Sequence, residues 1–253
     1  MLFFKRILNF SSDAIAQKEK RANTRYPIGS GFPVKAILNI SGRDGNGQTL
    51  SPDGRNGQDW GGWMLNLSNS GVSMQLHPAV LTRRGEACRF RLVYENYQLE
   101  LDAQVAHFRT YPNYSVCGVS LKFPDAEMQK AFLQVIEPVV IGSSFKPVDS
   151  KRIKQDTPDL IKEQYTGDSK TRLTVWRAAG ENSIAGFDLQ IGPYSVAGSN
   201  QSPDLDVTAD ADGGPDGKLT AGSREEVRQL FRLIVPNLAK SVPPDVRKFL
   251  ARY

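Results

Sequence analysis

Two arginines, Arg21 and Arg25, stand four residues apart in the stretch Lys20 to Pro27, which reads KRANTRYP. A guanidinium is a flat fork of N–H donors. It can grip a phosphate, or the O6 and N7 edge of a guanine, with two parallel hydrogen bonds. Further along, Asn66 to Gly71 reads NLSNSG and sets an amide, a hydroxyl and a glycine between two alternating apolar runs. That composition suits a turn whose short polar groups and exposed backbone N–H face a polar ligand.

The elements that must hold these residues are strands. Pro27 keeps regular helix out of Tyr26. Val34, Ala36, Leu38 and Ile40 then alternate with polar or outward residues, the period-two mark of a half-buried strand. Gly42 to Gly62, rich in Gly, Asp, Asn and Gln, reads as a loop. Alternation resumes in Trp63, Leu65 and Leu67, in Val72, Met74 and Leu76, and in Cys88, Phe90, Leu92 and Tyr94. It continues through Leu99, Leu101, Ala103 and Val105, then Cys117, Val119, Leu121 and Phe123. Six short strands with no helix between them predict a mainly β fold with some α, an antiparallel barrel rather than a parallel sheet. Pro124-Asp125 opens a helix with Met128, Phe132, Val135, Ile136 and Val139 on one face, which can close an open end of a small barrel.

At these residues the chain resembles the PilZ domain family, the bacterial receptor module for cyclic di-GMP. Arg21-x-x-x-Arg25 and Asn66-x-Ser68-x-x-Gly71 look like its two motifs, in the same order and context. Arg25-Tyr-Pro enters a strand, the second motif joins two strands, and Gly118-Val119 lies in a late strand where the family often has a Gly-Val pair. The resemblance covers about residues 17–144 and implies a six-stranded PilZ-like barrel with a closing helix. It implies that the arginines hold the guanine edges and phosphates of cyclic di-GMP. Asn66, Ser68 and Gly71 would line the opposing surface and bond the second guanine, and Gly118 joins the ligand-binding set. Lys20 stands where the family's residue influences whether one ligand or an intercalated pair binds. Lysine lacks the flat stacking fork of arginine, which leaves the stoichiometry open. The resulting expectation is a second-messenger receptor that changes conformation to signal to a partner. Its competitor is a PilZ-like interaction scaffold that binds no nucleotide.

Composition bounds the alternatives. A chain of 253 residues holds one large or two modest domains. A net charge of +5 is mild for a dedicated nucleic-acid binder. Arg83, Arg84, Arg89 and Arg91 interleave with Phe90 and Tyr94, but the aromatics share the face of Cys88 and Leu92 and read as core. The expectation is therefore no nucleic acid. His77 and His107 read as structural histidines, with no Cys or carboxylate at ligand spacing, so neither an enzyme nor a metal site is expected. Cys88 and Cys117 are expected as buried thiols in a reducing cytoplasm.

The flanks carry less chemistry. Leu2 to Lys18 reads as a helix with Leu2, Phe3, Ile7, Leu8, Phe10 and Ile15 clustered. It forms an amphipathic N-terminal segment over 1–19 that packs on protein or, as the weaker alternative, lies on a membrane surface. The barrel domain is placed at 20–144 and a polar linker at 145–168, with a brief helix near 159–164. A small α+β accessory domain follows at 169–253. It has strands near 171–177, 184–191 and 194–197, an acidic loop over 204–217, a helix capped at Ser223-Arg-Glu-Glu226, and a last helix after Pro243-Pro244. The acidic spacing does not fit a calcium loop. This domain is expected to dock a protein partner or a second copy.

Overall fold

The computed structural model describes residues 24–41, 48, 57–168, 170–209 and 219–253. The expected N-terminal helix, Lys20 and Arg21 lie outside the described residues, as do 42–47 and 49–56 of the expected loop and 210–218 of the acidic stretch. The chain forms two compact units. The first holds 24–28 and Pro33–Ile136, and the second holds Gly29–Phe32 and Glu137–Tyr253.

The first unit is built from β1 (Tyr26–Pro27), β2 (Lys35–Ile40), β3 (Gln58–Ser68), β4 (Gly71–Leu76), β5 (Ala87–Tyr94), β6 (Tyr97–Thr110) and β7 (Ser115–Lys122). Every pairing is antiparallel, and the order β3-β2-β5-β6-β7-β4 returns to β3, closing a six-stranded barrel. Closure leaves these six strands without a free edge to satisfy. The alternation seen in the sequence marks the inside: Leu38, Leu67, Met74, Phe90, Leu92 and Cys117 are all fully buried. Each large apolar side chain so buried contributes about 1.5–3 kcal/mol.

Two features of the barrel depart from expectation. The long β3 begins at Gln58, inside the stretch read as loop, and its first half pairs with β2 from Ile40↔Gln58 to Ala36↔Gly62. Its glycines mark close packing here: a Cβ on Gly62 would strike the Gln75 carbonyl and the Leu76 side chain. The second departure is β1, two residues long, which adds to the outer half of β3.

After β7, the helix α1 (Ala126–Ser144) starts at Asp125, whose carboxylate accepts the Met128 N–H at 2.7 Å. Phe132 is buried, its ring 5.6 Å from that of Phe123. The boundary between the units falls within α1, at Glu137, and not in a linker over 145–168.

The second unit contains β8 (Lys146–Pro147), β9 (Leu160–Thr166), β10 (Thr171–Ala178), β11 (Ile184–Ile191), β12 (Tyr194–Ser199) and β13 (Ser202–Ala209) in a six-stranded antiparallel sheet of sequential order. The helices α2 (Ala221–Ile234) and α3 (Pro244–Leu250) complete it. Part of the expected linker is therefore sheet, with a strand where a brief helix was expected. Only Tyr165 of β9 is buried, so period-two patterning is faint, and the strand is held by its ladder with β10. Part of the expected acidic loop is also strand, with Leu205 and Val207 buried between outward aspartates. The cap of α2 is Thr220, whose Oγ1 accepts the Ser223 N–H at 3.1 Å, one turn before the expected box. The core of this unit gathers on Phe187, whose ring lies 5.5 Å from Phe231, 6.2 Å from Phe249 and 5.4 Å from Tyr253.

Glu137 is buried in α1, and burial pushes its carboxyl from the ordinary 4.5 up to about 7. A carboxyl held higher in the folded than in the unfolded chain costs nothing while both states are protonated. The cost grows as pH rises past the unfolded value and is complete above the folded one. Glu137→Gln is expected to stabilise the protein by on the order of 2 kcal/mol at about pH 8, and hardly at all at about pH 4. Denaturant midpoints at the two pH values check this; an equal change at both would contradict it.

Candidate functional site

The short β1 places the first motif against the second. Tyr26 is in register with Leu67 and Pro27 with Asn66, and the Ile28 N–H extends the ladder to the Leu65 carbonyl at 3.0 Å. Running antiparallel, that register brings Arg25, one residue ahead of β1, level with Ser68. Proline is tolerated on such a short flanking strand because the ladder does not need its missing N–H.

The second motif is a tight hairpin. Ser68 and Gly71 face each other at the end of β3 and β4, and the Ser68 hydroxyl donates to the Gly71 carbonyl at 3.3 Å. The Leu121 N–H reaches back to the Ser70 carbonyl at 2.8 Å, tying the turn to β7. Gly71 is required by crowding: a Cβ there would stand 2.7 Å from the Val119 carbonyl oxygen.

On the neighbouring strands, β6 carries a bulge between Val105 and His107, after which His107 pairs with Gly118 of β7. A bulge turns successive side chains toward one side and often does so beside a binding site. The imidazole of His107 occupies the space that a Cβ on Gly118 would need. Gly118 in turn faces Ser73 of β4.

These elements enclose a cavity of about 180 Å³ lined by Arg25, Asn66, Ser68, Ser70, Gly71, Ser73, His107, Gly118 and Ser120, with Ala106, Val72 and Val119 between them. Arg25, Asn66, Ser68, Gly71 and Gly118, singled out in the sequence, thus share one cavity, while Lys20 and Arg21 lie outside the described residues. Among the described lining residues there is no carboxylate, so Arg25 faces hydroxyls, an amide and an imidazole. Burial lowers the titration of His107 from 6.5, and the cations of Arg25 and Arg109 lower it further. The arrangement can offer an anion one guanidinium and several neutral hydrogen-bonding groups.

Sequence reasoning missed His107, Ser70, Ser73 and Ser120. His107 had a usable signal: counting outward from the turn at Tyr111–Tyr114 pairs Thr110 with Ser115 and, three steps on, His107 with Gly118.

Arg89 meets Glu100 at 2.7 Å, and Arg91 meets Asp59 at 3.2 Å and Glu100 at 3.3 Å, while Phe90 and Tyr94 are buried. Cys88 and Cys117 are free buried thiols, each pushed up to about 12 chiefly by burial. Among the described residues there is no cluster of His, Cys, Asp and Glu suited to a metal, and no helix long and apolar enough to cross a membrane.

No family model matches the sequence, and no curated protein matches it. Among solved structures, the chain is similar to the PilZ domain of CeSA from a cellulose-synthesizing bacterium, at 14% identity and a TM-score of 0.30 over 46% of this chain and 96% of that one. It is similar to the PilZ domain of Escherichia coli YcgR with c-di-GMP, at 11% identity and 0.34 over 47% and 89%. It is also similar to Borreliella burgdorferi PlzA in complex with c-di-GMP, at 8% identity and 0.34 over 87% and 99%. The closed six-stranded barrel and the cavity beside Arg25 stand on the strand order and register of this chain.

The two motif glycines should respond differently to a methyl group. Gly71→Ala meets fixed backbone and is expected to lower stability by about 1–3 kcal/mol. Gly118→Ala meets only a side chain that can swing aside, and should cost less than about 1 kcal/mol. Urea denaturation of both variants checks the order; a larger loss for Gly118→Ala would contradict it.

Proposed function

We propose that the cavity beside Arg25 binds cyclic di-GMP and that the chain is a second-messenger receptor. One observation carries the reading: the pairing of β1 with β3 sets the arginine motif against the Asn66–Gly71 hairpin in a single cavity. The ligand is a dianion bearing two guanines, and each of its groups has a counterpart here. The Arg25 fork suits a phosphate or a guanine O6/N7 edge, and Arg21, four residues earlier in the sequence, carries a second fork. The Asn66 amide and Ser68 hydroxyl suit a guanine edge, and the absence of a Cβ at Gly71 lets the hairpin approach the Val119 carbonyl closely. Lys20 belongs to the same set as a neighbour of Arg21. The second unit is proposed as the output side, engaging a protein partner or a second copy when the ligand binds.

Calorimetric titration of the full chain with cyclic di-GMP tests the reading, beside Arg25→Ala and the double variant Arg21→Ala, Arg25→Ala. A charge-assisted hydrogen bond contributes about 1.5–3 kcal/mol, so Arg25→Ala should weaken binding at least about tenfold and the double variant should abolish it. A flat trace from folded wild-type protein would remove the nucleotide and leave the interaction-scaffold reading in its place.

A further inference from the structure

Among the described residues lining the cavity, His107 alone has a side chain whose charge can change near neutral pH. Its position is built by three separate features. The β-bulge after Val105 aims it, the ladder with β7 sets it opposite Gly118, and the missing side chain of Gly118 makes the room its ring occupies. No hydrogen bond ties the His107 ring to another described residue. The ring instead borders the same space as Arg25, Asn66 and Ser68.

We propose that His107 is a ligand-contacting residue of this cavity, and that it takes up a proton as an anionic nucleotide enters and donates it to the ligand as a hydrogen bond. The inference rests on reading the cavity as a nucleotide site. Among the described residues, the charges that act on His107 come from two elements: Arg25 ahead of β1 and Arg109 on its own β6. Gly118 lies against the ring, and the described residues of β7, β4 and β3 that line the same cavity with it include Ser120, Ser73, Asn66 and Ser68, none of which titrates in the neutral range. In the free protein burial, and then the two cations, lower the ring's titration from its ordinary 6.5. A phosphodiester anion arriving beside Arg25 offsets those cations and favours the imidazolium. The bound form then carries more protons than the free form. Affinity therefore rises as pH falls through the interval between the bound and free titration points, and is constant above both.

The test is titration of the full chain with cyclic di-GMP between about pH 5.5 and pH 8, in buffers of different ionisation heat, for wild type, His107→Gln and His77→Gln. The wild type and His77→Gln should take up a fraction of a proton and bind several-fold more tightly at the low end. His107→Gln should bind about fivefold more weakly at the low end, with the proton uptake and the pH dependence both lost. Matching thermal midpoints would show the variant is folded, and the conserved size of glutamine keeps the ring's space filled. Wild-type affinity and proton uptake in His107→Gln would overturn the inference while leaving the receptor reading intact. No binding by the wild type would sink both.

Discussion

Everything at the cavity depends on a ladder two residues long. Tyr26 and Pro27 lie against Leu67 and Asn66, and this register alone converts two distant sequence stretches into neighbours. Two residues of pairing are worth little by themselves, since an ion pair or a hydrogen bond at a surface contributes only about 0.5–1.5 kcal/mol. The register is set by the barrel behind it. Leu67 is fully buried, which fixes the side on which Asn66 and Ser68 emerge, because a one-residue slip would turn every side chain of β3 to the opposite face. The hydrophobic interior thus decides where the polar groups stand.

Charge placement separates this cavity from the paired arginines of the two units. Arg89 and Arg91 share Glu100 across the strands, and the nearly buried Arg177 is held by Glu163 at 2.9 Å and Asp245 at 2.6 Å. Such cations have their counter-charge built in, and removing one partner of a buried pair is far costlier than the pair is stabilising. Arg25 borders a space whose described lining offers no carboxylate. A positive group among neutral hydrogen-bonding partners attracts an anion from solution, which is the electrostatic sense of the site.

The barrel was legible because its strands are buried on one face. Leu38 and Ile40, or Phe90 and Leu92, declare their side by alternation, and the helix after Asp125 declares itself by a cap and a stripe. The elements that escaped notice are those stabilised by something other than a buried face. In β9, Ile161 is 48% exposed, and the strand is secured by its neighbour and by the Arg177–Glu163 pair. At its start the Gln155 side-chain amide both donates to and accepts from the Lys162 backbone, standing in for a strand partner. In β13 the aspartates between Leu205 and Val207 suggest a loop, because composition speaks louder than a period of two over so few residues. At the cavity, the motif residues were legible from type and spacing. His107 was not, because its role follows from what lies across the ladder and from a glycine whose meaning is the space it leaves.

The route of the chain through the two units has a consequence of its own. Ile28 lies in the first, Gly29–Phe32 in the second, and Pro33 in the first again, before the final passage at Glu137. The short excursion is fastened in place: the Gly29 N–H donates to the Asn237 side chain at 2.9 Å, Asn237 in turn donates to the Leu233 carbonyl at 2.8 Å, and a Cβ on Gly29 would strike the Pro236 carbonyl. Neither unit is a continuous run of sequence. A single cut anywhere in the chain therefore leaves one product lacking a piece of its own packing, because those four residues belong to the second body while their neighbours on both sides belong to the first.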